Sequence, residues 1–240
     1  MGDFRQISFL TQDLISDSSR DKGEPTRRLR MHRLKKGVLI VFEGVDGAGK
    51  STQARLLYER LTKAQFEAEL SKEPTEGKWG KKLRKLIEKG RGDVSPREEL
   101  DWFIKDRFQH VEEIIEPELK NNKIIILDRY YFSTIAYQGA LGVDPRDIEK
   151  RNNEFAPEPN LLFLIEIPPG AGIKRIKESR EKQIDSFEKE SYLLRVGQIF
   201  HNLDKPFLYR LSGEESVQKL SDQTWKITMA YLKEHNLIER

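Results

Sequence analysis

The chain has 240 residues, of which 37% are hydrophobic and 35% charged, and its formal net charge at pH 7 is +3. No apolar stretch approaches the ~20 residues that cross a bilayer, so the sequence predicts no membrane span. Cysteine is absent, which excludes disulfides and thiolate metal sites and is typical of a cytoplasmic protein. The length suits one α/β domain better than two.

The first 36 residues differ in composition from the rest of the chain. They lack strong periodicity and contain nine Lys/Arg against five Asp/Glu, with a basic run over residues 27–36. We predict a disordered extension over residues 1–36 and a single catalytic domain over residues 37–240. The basic run leaves two interpretations open: attraction to nucleic acid or an anionic membrane, or a solvated extension, including a true start at Met31. We favour the second and expect no specific nucleic-acid partner.

A phosphate-binding motif follows the first predicted strand, residues 38–42. Residues 44–51 read Gly-Val-Asp-Gly-Ala-Gly-Lys-Ser, the pattern G-x-x-x-x-G-K-S. Glycines reach the positive φ that turns backbone N–H groups toward an anion, and the helix that follows adds its N-terminal dipole. We predict that Lys50 reaches the β- and γ-phosphates of a nucleotide and that Ser51 binds Mg²⁺. The predicted phosphate-binding residues are Gly44, Val45, Asp46, Gly47, Ala48, Gly49, Lys50, Ser51 and Thr52.

The remaining segments alternate between strands and helices. Apolar runs that are continuous rather than alternating predict parallel strands covered on both faces. Amphipathic helices lie between them, including a long one over residues 95–120 and a final one over residues 216–234. The pattern predicts an α/β fold of the P-loop NTPase type, with a doubly wound five-stranded parallel sheet and ligands at the carboxyl edge. The four later strands are predicted at residues 67–71, 123–127, 161–165 and 207–211.

The long helix carries an apolar stripe with an arginine at its edge. The i, i+3, i+4 spacing predicts that the stripe is buried. Arg107 follows Phe103 by four residues and has two interpretations. In the first, the aliphatic part of the Arg107 side chain packs against the protein while its guanidinium stays in water. In the second, Phe103 and Arg107 form one ligand-binding face, on which the aromatic ring stacks on a base and the guanidinium donates to its edge. The stripe consists of Leu100, Phe103, Ile104, Phe108, Val111 and Ile115.

The third strand ends in an acid and an arginine, Asp128 and Arg129, at the edge where the phosphate loop also emerges. Such a carboxylate holds Mg²⁺ through water, and such an arginine neutralises charge on a transferring phosphoryl group. The alternative is a strand-end salt bridge. Ser133, Tyr137 and Gln138 follow, where the Gln138 amide suits the edge of a base and the Tyr137 ring the space beside a sugar.

Together, these motifs resemble those of the thymidylate kinases, over essentially the whole chain from residue 37 to the last helix. The resemblance implies a nucleoside monophosphate kinase-like fold with a short lid. It also implies a reaction, the transfer of the γ-phosphoryl group of ATP to dTMP, which gives dTDP and ADP and serves dTTP synthesis. Mg²⁺ is the implied cofactor, and a homodimer is the implied assembly. It rests on Phe-Glu-Gly-Val-Asp-Gly-Ala-Gly-Lys-Ser-Thr-Gln at 42–53, Lys-Glu-Pro at 72–74, Phe103 with Arg107, Asp128-Arg129-Tyr130 and Ala136-Tyr137-Gln138.

The resemblance implies roles for residues around the nucleoside. Asp46 would contact the sugar 3′-hydroxyl, Phe103 would stack on thymine, and Arg107 would donate to a base carbonyl. Tyr137 would exclude a ribose 2′-hydroxyl, and Gln138 would contact the base. The complete implied acceptor site consists of Asp46, Lys72, Glu73, Pro74, Phe103, Arg107, Arg129, Ser133, Tyr137 and Gln138.

Around the phosphates, the resemblance implies that Arg129 grips the acceptor phosphate, that Arg175 lies near the adenine of ATP, and that residues 180–187 form the lid. Lys72 replaces the family's usual arginine, which exchanges a bidentate fork for a point charge. Thr75-Glu76 stands where a pair of glycines is usual, and the lid segment Asp185-Ser186-Phe187-Glu188 lacks the family's arginine. We predict that Arg180 is the lid cation; Lys182 remains an alternative.

In-line phosphoryl transfer needs positioning and charge neutralisation rather than proton chemistry, so we predict no catalytic Ser, His or Cys. The predicted catalytic residues are Lys50, Asp128, Arg129 and Arg180, with Ser51 and Asp128, the latter through water, at the metal. Two other functions stay open. One is a kinase for another pyrimidine nucleoside monophosphate on the same scaffold. The other is a nucleotide-dependent switch or transport ATPase, since Leu211-Ser212-Gly213-Glu214 superficially resembles a transporter signature.

Overall fold

A five-stranded parallel sheet forms the centre of the fold. The computed structural model describes residues 32–168, residue 171 and residues 186–239, the last range without the side chains of 186–190. The spatial order of the strands is β2-β3-β1-β4-β5, with every neighbouring pair parallel, as predicted. The strands are β1 (Val38–Glu43), β2 (Ala68–Lys72), β3 (Ile124–Asp128), β4 (Leu161–Glu166) and β5 (Leu208–Ser212).

Helices connect the strands and cover both faces of the sheet. The segment predicted as one long helix consists of α3 (Pro96–His110), a π-helical turn (Val111–Ile115) and α4 (Glu116–Lys120). It is therefore continuous but not uniformly α-helical. In the described residues, no helix combines the length and the apolarity needed to cross a bilayer. The helices are α1 (Lys50–Lys63), α2 (Lys78–Lys89), α3 (Pro96–His110), α4 (Glu116–Lys120), α5 (Tyr131–Gly139), α6 (Pro145–Asn153), α7 (Ser186–His201) and α8 (Val217–Glu234).

Two apolar cores lie on opposite sides of the sheet. Successive side chains of a strand point to opposite faces. Leu39 and Val41 of β1 therefore join the core that includes side chains of α3, α5 and α7, whereas Ile40 and Phe42 join the core that includes α1 and α8. Burial on both faces accounts for the continuous apolar runs of the central strands, and it confirms the doubly wound arrangement.

The register of the sheet brings the ends of three strands together. Phe42 of β1 lies opposite Asp128 of β3, and Lys72 of β2 lies opposite the same residue. β1 sits between β3 and β4, where the connections leave the sheet in opposite directions. Such a switch point leaves a crevice outside the carboxyl ends of the strands, where ligands bind in open α/β sheets.

The apolar stripe of the long helix is only partly buried as predicted. Leu100, Val111 and Ile115 are buried, but Phe108 is 46% exposed, so the prediction was wrong at that position. α3 is covered on a second side, where Trp102 packs with leucines of α2 and Asp106 is buried. Residues two apart lie on nearly opposite sides of a helix, so burial of Asp106 turns Phe108 outward.

Contacts with the domain are made by residues before the predicted domain boundary. The amide of His32 donates to the carbonyl of Gln65 at 2.7 Å, and that of Glu239 to the carbonyl of Arg33 at 2.9 Å. Leu34 is buried in the core beside α8. Residues 32–36 therefore contact the domain, while residues 1–31 lie outside the described residues and the boundary at residue 36 stays a prediction.

Two isoleucines provide a matched test of the sheet core. Ile126 lies in the centre of β3 with no exposed surface, whereas Ile87 of α2 is 60% exposed. Replacing Ile126 with alanine leaves a cavity, and we expect it to lower the free energy of unfolding by about 2–5 kcal/mol. Ile87→Ala is the control and should change it by about 0.5 kcal/mol or less. Urea denaturation measures both; equal effects would contradict the buried position of β3.

Candidate active site

The phosphate loop has the backbone conformation that its glycines predict. Gly44, Gly47 and Gly49 have φ values of 139°, 80° and 102°, all in the region that side chains disfavour. At Gly44 space is also limiting, because a Cβ would lie 2.3 Å from the carbonyl oxygen of Ile165. The loop therefore folds tightly against β4 and leads directly into α1.

Lys50 lies inside the loop. Its side chain is buried, and its Nζ donates to the carbonyl of Val45 at 2.8 Å. Burial, followed by the nearby charge of Arg129, lowers the pKa of Lys50 to about 8, although Asp46 and Asp128 act in the opposite direction. The ammonium group is therefore placed where an added anion would stabilise its charge.

Ser51 and Asp128 provide oxygen atoms suited to a cation. The Ser51 hydroxyl donates to one carboxylate oxygen of Asp128. The other, Oδ1, is buried and has no hydrogen-bond partner in the described part of the chain. In that part, no group of three or more acidic, His or Cys side chains is arranged so that it could hold a metal ion by itself. The pair nevertheless fits Mg²⁺, which is commonly held by one or two protein oxygens together with phosphates and water.

Arg129 turns back toward the loop at the end of β3. Its φ of 73° is strained for a residue with a side chain, and strained positions of this kind concentrate at functional sites. The guanidinium donates to the Ser133 hydroxyl at 2.8 Å, forms an ion pair with Asp46, and lies 5.2 Å from the centre of the Tyr137 ring. Arg129 at the end of β3 is therefore in a salt bridge, and its partner is Asp46 of the phosphate loop.

Glu43 connects the phosphate loop to α5, and sequence reasoning assigned it no role. It is fully buried, and its carboxylate accepts from the amides of Tyr130 and Ser133 at 2.7 and 3.0 Å and from the Ser133 hydroxyl at 2.5 Å. These bonds satisfy N–H groups at the start of α5. Burial raises the pKa of Glu43, against the lowering effects of Arg129 and Ser133. The available signal was an acid that ends a buried strand.

Arg107 is held in a buried polar cluster. Its side chain is 1% exposed, so the interpretation that places its head in water was wrong. Its Nε and Nη2 donate to one oxygen of Glu73 at 2.9 and 2.5 Å, and Nη1 donates to Asn152 at 2.7 Å. Nη2 also donates to Thr134 at 3.1 Å. Burial raises the pKa of Glu73, but Arg107 and His110 together hold it below its ordinary value.

The second oxygen of Glu73 has its own partner. It lies 3.1 Å from Nδ1 of His110, whose Nε2 lies 2.8 Å from the Ser71 hydroxyl. Sequence reasoning missed Ser71, His110, Thr134 and Asn152. Thr134 follows the recognised Ser133, but the other three show no local pattern, because their partners are distant in the sequence.

The predicted base-contacting residues have different environments. Gln138 is fully buried, and neither atom of its amide has a hydrogen-bond partner among the described residues. The Tyr137 hydroxyl is likewise without one in the same residues. Phe103 is half-buried and packs against the cluster of Leu83, Leu86 and Trp102 between α2 and α3. The structure therefore brings Gln138 and Tyr137 to the end of α5, whereas the described contacts of Phe103 lie toward α2.

Comparison with known proteins agrees with this geometry. The family model described as thymidylate kinase matches residues 42–224. The chain belongs to the thymidylate kinase family. Members of this family are phosphotransferases, as the resemblance implied.

Individual members of the family match most of the chain. Thymidylate kinase of Desulfotalea psychrophila is 43% identical over 184 residues, which are 77% of this chain and 90% of that protein. Thymidylate kinase of Akkermansia muciniphila is 39% identical over 192 residues, 80% and 91% of the two chains. A crystal structure of thymidylate kinase from Ehrlichia chaffeensis superposes with a TM-score of 0.66 at 28% identity, and covers 80% of this chain and 99% of its own.

Two departures from the thymidylate kinase pattern lie beside the site. Lys72 has a side chain that is 61% exposed and pairs with Glu76 at 3.1 Å, on a groove of about 670 Å³ that Ser51 and Asp128 also line. Thr75 is held through its hydroxyl and amide by Asp106, at 2.6 and 2.8 Å. The non-glycine residues are thus fixed by specific contacts. Pro74 precedes them, after a cis peptide bond.

The predicted lid falls mostly in the part of the chain that is not described. Arg175, Arg180, Lys182 and Asp185 lie outside the described residues. The backbone of Ser186 begins α7. The roles assigned to Arg175 and Arg180 stay predictions.

Glu43 provides a test of how the site is held together. Glu43→Ala leaves the buried amide of Tyr130 and the hydroxyl of Ser133 without this acceptor, whereas the Ser133 amide keeps the carbonyl of Tyr130 at 3.1 Å. We expect the variant to lower the free energy of unfolding by about 3 kcal/mol. Glu43→Gln keeps an acceptor oxygen of similar size, so its cost should be less than about half of that. Urea denaturation of both variants measures the difference. Equal losses would show that the hydrogen bonds to α5 are not the reason for the effect.

Proposed function

We propose that the protein transfers the γ-phosphoryl group of ATP to dTMP, producing dTDP and ADP in the synthesis of dTTP. The supporting observation is that a cationic group of residues and a buried polar group of residues lie at the same edge of the sheet. The phosphate loop and Arg129 form a cationic end, and the cluster of Arg107 and Glu73 with Gln138 forms a polar buried end. Membership of the thymidylate kinase family supports the same conclusion.

The cationic end suits both the donor and the acceptor phosphates. Residues 44–52 are suited to the triphosphate, because backbone N–H groups of the loop and the start of α1 favour anions. Lys50 would contact the β- and γ-phosphates, and Arg129 the acceptor phosphate. Ser51 and Asp128 would hold Mg²⁺, and the bound ion would neutralise negative charge on the phosphates.

The transfer requires no protein base. An oxygen of the dTMP phosphate, already anionic, forms a bond to the γ-phosphorus while the bond from that phosphorus to the β–γ bridging oxygen breaks, and ADP leaves with the electron pair. The contribution of Lys50 and Arg129 is to hold charge and align the two phosphates. We propose that Arg180 adds a cation from the lid and that Arg175 lies near the adenine.

The polar buried end favours a base that presents a carbonyl. A guanidinium has five N–H donors, and Arg107 uses four on Glu73, Asn152 and Thr134. The second N–H of Nη1 has no hydrogen-bond partner in the described part of the chain. A donor pairs with the O4 carbonyl of thymine but not with the amino group of cytosine. The unpaired amide of Gln138 both donates and accepts, which suits the adjacent edge of the same base.

The remaining acceptor contacts follow from the family pattern. We propose that Phe103 stacks on the base, that Asp46 contacts the 3′-hydroxyl and that Tyr137 occupies the space of a ribose 2′-hydroxyl. The ion pair between Asp46 and Arg129 supports a place for Asp46 between the sugar and the acceptor phosphate. Lys72, Glu73, Pro74 and Ser133 complete the proposed site.

We also propose a homodimer in the cytoplasm. Membership of the thymidylate kinase family supports the dimer, and Phe108 of the long helix, which is 46% exposed, is an apolar side chain that a partner would cover. The absence of cysteine is consistent with a reducing compartment.

An acceptor panel tests the proposed function. Coupled release of ADP is measured with dTMP, dUMP, dCMP, dGMP and UMP. We expect dTMP to have the highest kcat/KM, dUMP to be lower by about ten- to a hundredfold for its missing methyl group, and dCMP by at least about a hundredfold. Equal rates with dCMP would favour the alternative of another pyrimidine kinase. ATP hydrolysis that no monophosphate alters would favour a switch or transport ATPase.

The lowered pKa of Lys50 predicts how ATP binding depends on pH. Lys50 is charged below its pKa of about 8 and neutral above it. Because a triphosphate binds the charged form, affinity should be full below pH 8 and fall about tenfold per pH unit above it. The dissociation constant of ATP, measured by calorimetry between pH 6.5 and 9.5, shows this directly. Lys50→Met is the control: it should bind more weakly, with an affinity that stays flat over the same range.

A further inference from the structure

The C-terminal end of α5 is held by side chains of α7. The last carbonyl groups of a helix lack partners within it. The amide of Leu141 donates to the carbonyl of Gln138 at 3.0 Å, which leaves the carbonyl of Tyr137 available. The hydroxyl of Tyr192 donates to that carbonyl at 3.0 Å. Nε of Arg195, one turn further along α7, donates to the carbonyl of Ala140 at 3.3 Å.

Tyr192 contacts Tyr137 through its ring as well as its hydroxyl. The two rings meet edge-on, with centroids 6.3 Å apart and planes inclined by 69°. This edge-to-face arrangement is a favourable contact between aromatic rings. One side chain thus restrains the backbone of Tyr137 and the plane of its ring.

Tyr192 is itself held from a third helix. The guanidinium of Arg91 lies 5.8 Å from the centre of the Tyr192 ring, and its Nε donates to Glu99 of α3 at 2.6 Å. The side chain of Glu99 is 2% exposed. Burial raises the pKa of the Tyr192 phenol, which keeps its proton available for the hydrogen bond to Tyr137. The chain Glu99–Arg91–Tyr192–Tyr137 therefore connects α3, the loop before it, α7 and α5.

Steric exclusion works only if the excluding group cannot move. A hydroxyl group needs little space, so a ring that shifts by about an ångström no longer rejects it, whereas a ring fixed by its neighbours does. Tyr137 is the residue to which the proposed function assigns the exclusion of a ribose 2′-hydroxyl. The guanidinium of Arg129 lies 5.2 Å from the centre of its ring, and the rings of Tyr192 and Phe200 of α7 each meet it edge-on at 6.3 Å. Of these neighbours, Tyr192 is the one that also holds the Tyr137 backbone.

We propose that Tyr192 is a specificity-determining residue that acts by positioning Tyr137, so that the protein accepts 2′-deoxynucleotides and rejects ribonucleotides. This inference rests on the proposed function of the same site. It assigns to α7 a part in choosing the sugar, although Tyr192 itself touches Tyr137 and not the acceptor.

The experiment compares two acceptors that differ only in the 2′-hydroxyl, dTMP and ribothymidine 5′-monophosphate. The ratio of their kcat/KM values is measured for the wild type, Tyr192→Phe and Tyr192→Leu. Tyr192→Phe keeps the ring contact and loses the hydroxyl, so we expect the preference for dTMP to fall about three- to tenfold. Tyr192→Leu loses both contacts and should reduce it further. The change should lie in the ribonucleotide values, with kcat/KM for dTMP altered less than about threefold.

Arg195→Ala is the matched control, because it removes the neighbouring hydrogen bond between α7 and α5 without touching Tyr137. It should keep the ratio within about twofold of wild type. A wild-type protein inactive on dTMP would refute the proposed function. An active wild type whose ratio is unchanged in both Tyr192 variants would overturn the inference alone. A ratio lowered equally by Arg195→Ala would overturn it too, since general loosening of α7 would then be the cause.

Discussion

Two neighbouring positive charges at the edge of the sheet are the constraint on which the site depends. Lys50 is buried and Arg129 is largely covered, and each raises the cost of the other's charge. Charges removed from water in this way persist only with opposite charges and hydrogen bonds around them. Glu43, Asp46 and Asp128 supply these from the end of β1, the loop and the end of β3. The three segments must therefore be in register before the cations are tolerated, and this couples the fold of the sheet edge to its affinity for phosphate.

The other end of the site uses a buried ion pair for a different purpose. Removing Arg107 and Glu73 from water is costly, and the pair is compensated by Asn152, Thr134 and His110 rather than by solvent. Such a pair contributes little net stability. It does fix the direction of the one guanidinium N–H that remains, because every other donor is already bound. Under the proposed function, recognition of a base carbonyl would depend on a donor that does not reorganise when the ligand arrives, which is the condition for strong rejection of a base lacking that carbonyl.

The sequence was most informative where structure is local. Four apolar runs and the weaker segment at residues 67–71 predicted the five strands, and the glycines of the loop predicted its positive φ values, because each depends on a few adjacent residues. Arg107 shows the limit. Helical spacing places it at the edge of a stripe, but whether its head is in water depends on Glu73 and Asn152, which are 34 and 45 residues away. The exposure of Phe108 has a related reason: α2 covers a second side of α3, and helical spacing within α3 carries no information about that distant contact.

The exposure of Lys72 limits what it contributes to charge neutralisation. Its ammonium group is already paired with Glu76, and an ion pair in contact with water is worth about 1 kcal/mol or less. A flexible stem also has more freedom to lose than the planar fork of an arginine. Under the proposed function, the fixed charge for the acceptor phosphate would therefore come mainly from Arg129, whose position is set by Asp46, Ser133 and the strained backbone at the end of β3. The substitution at position 72 thus increases the dependence of the site on the hydrogen bonds that Glu43 makes to α5.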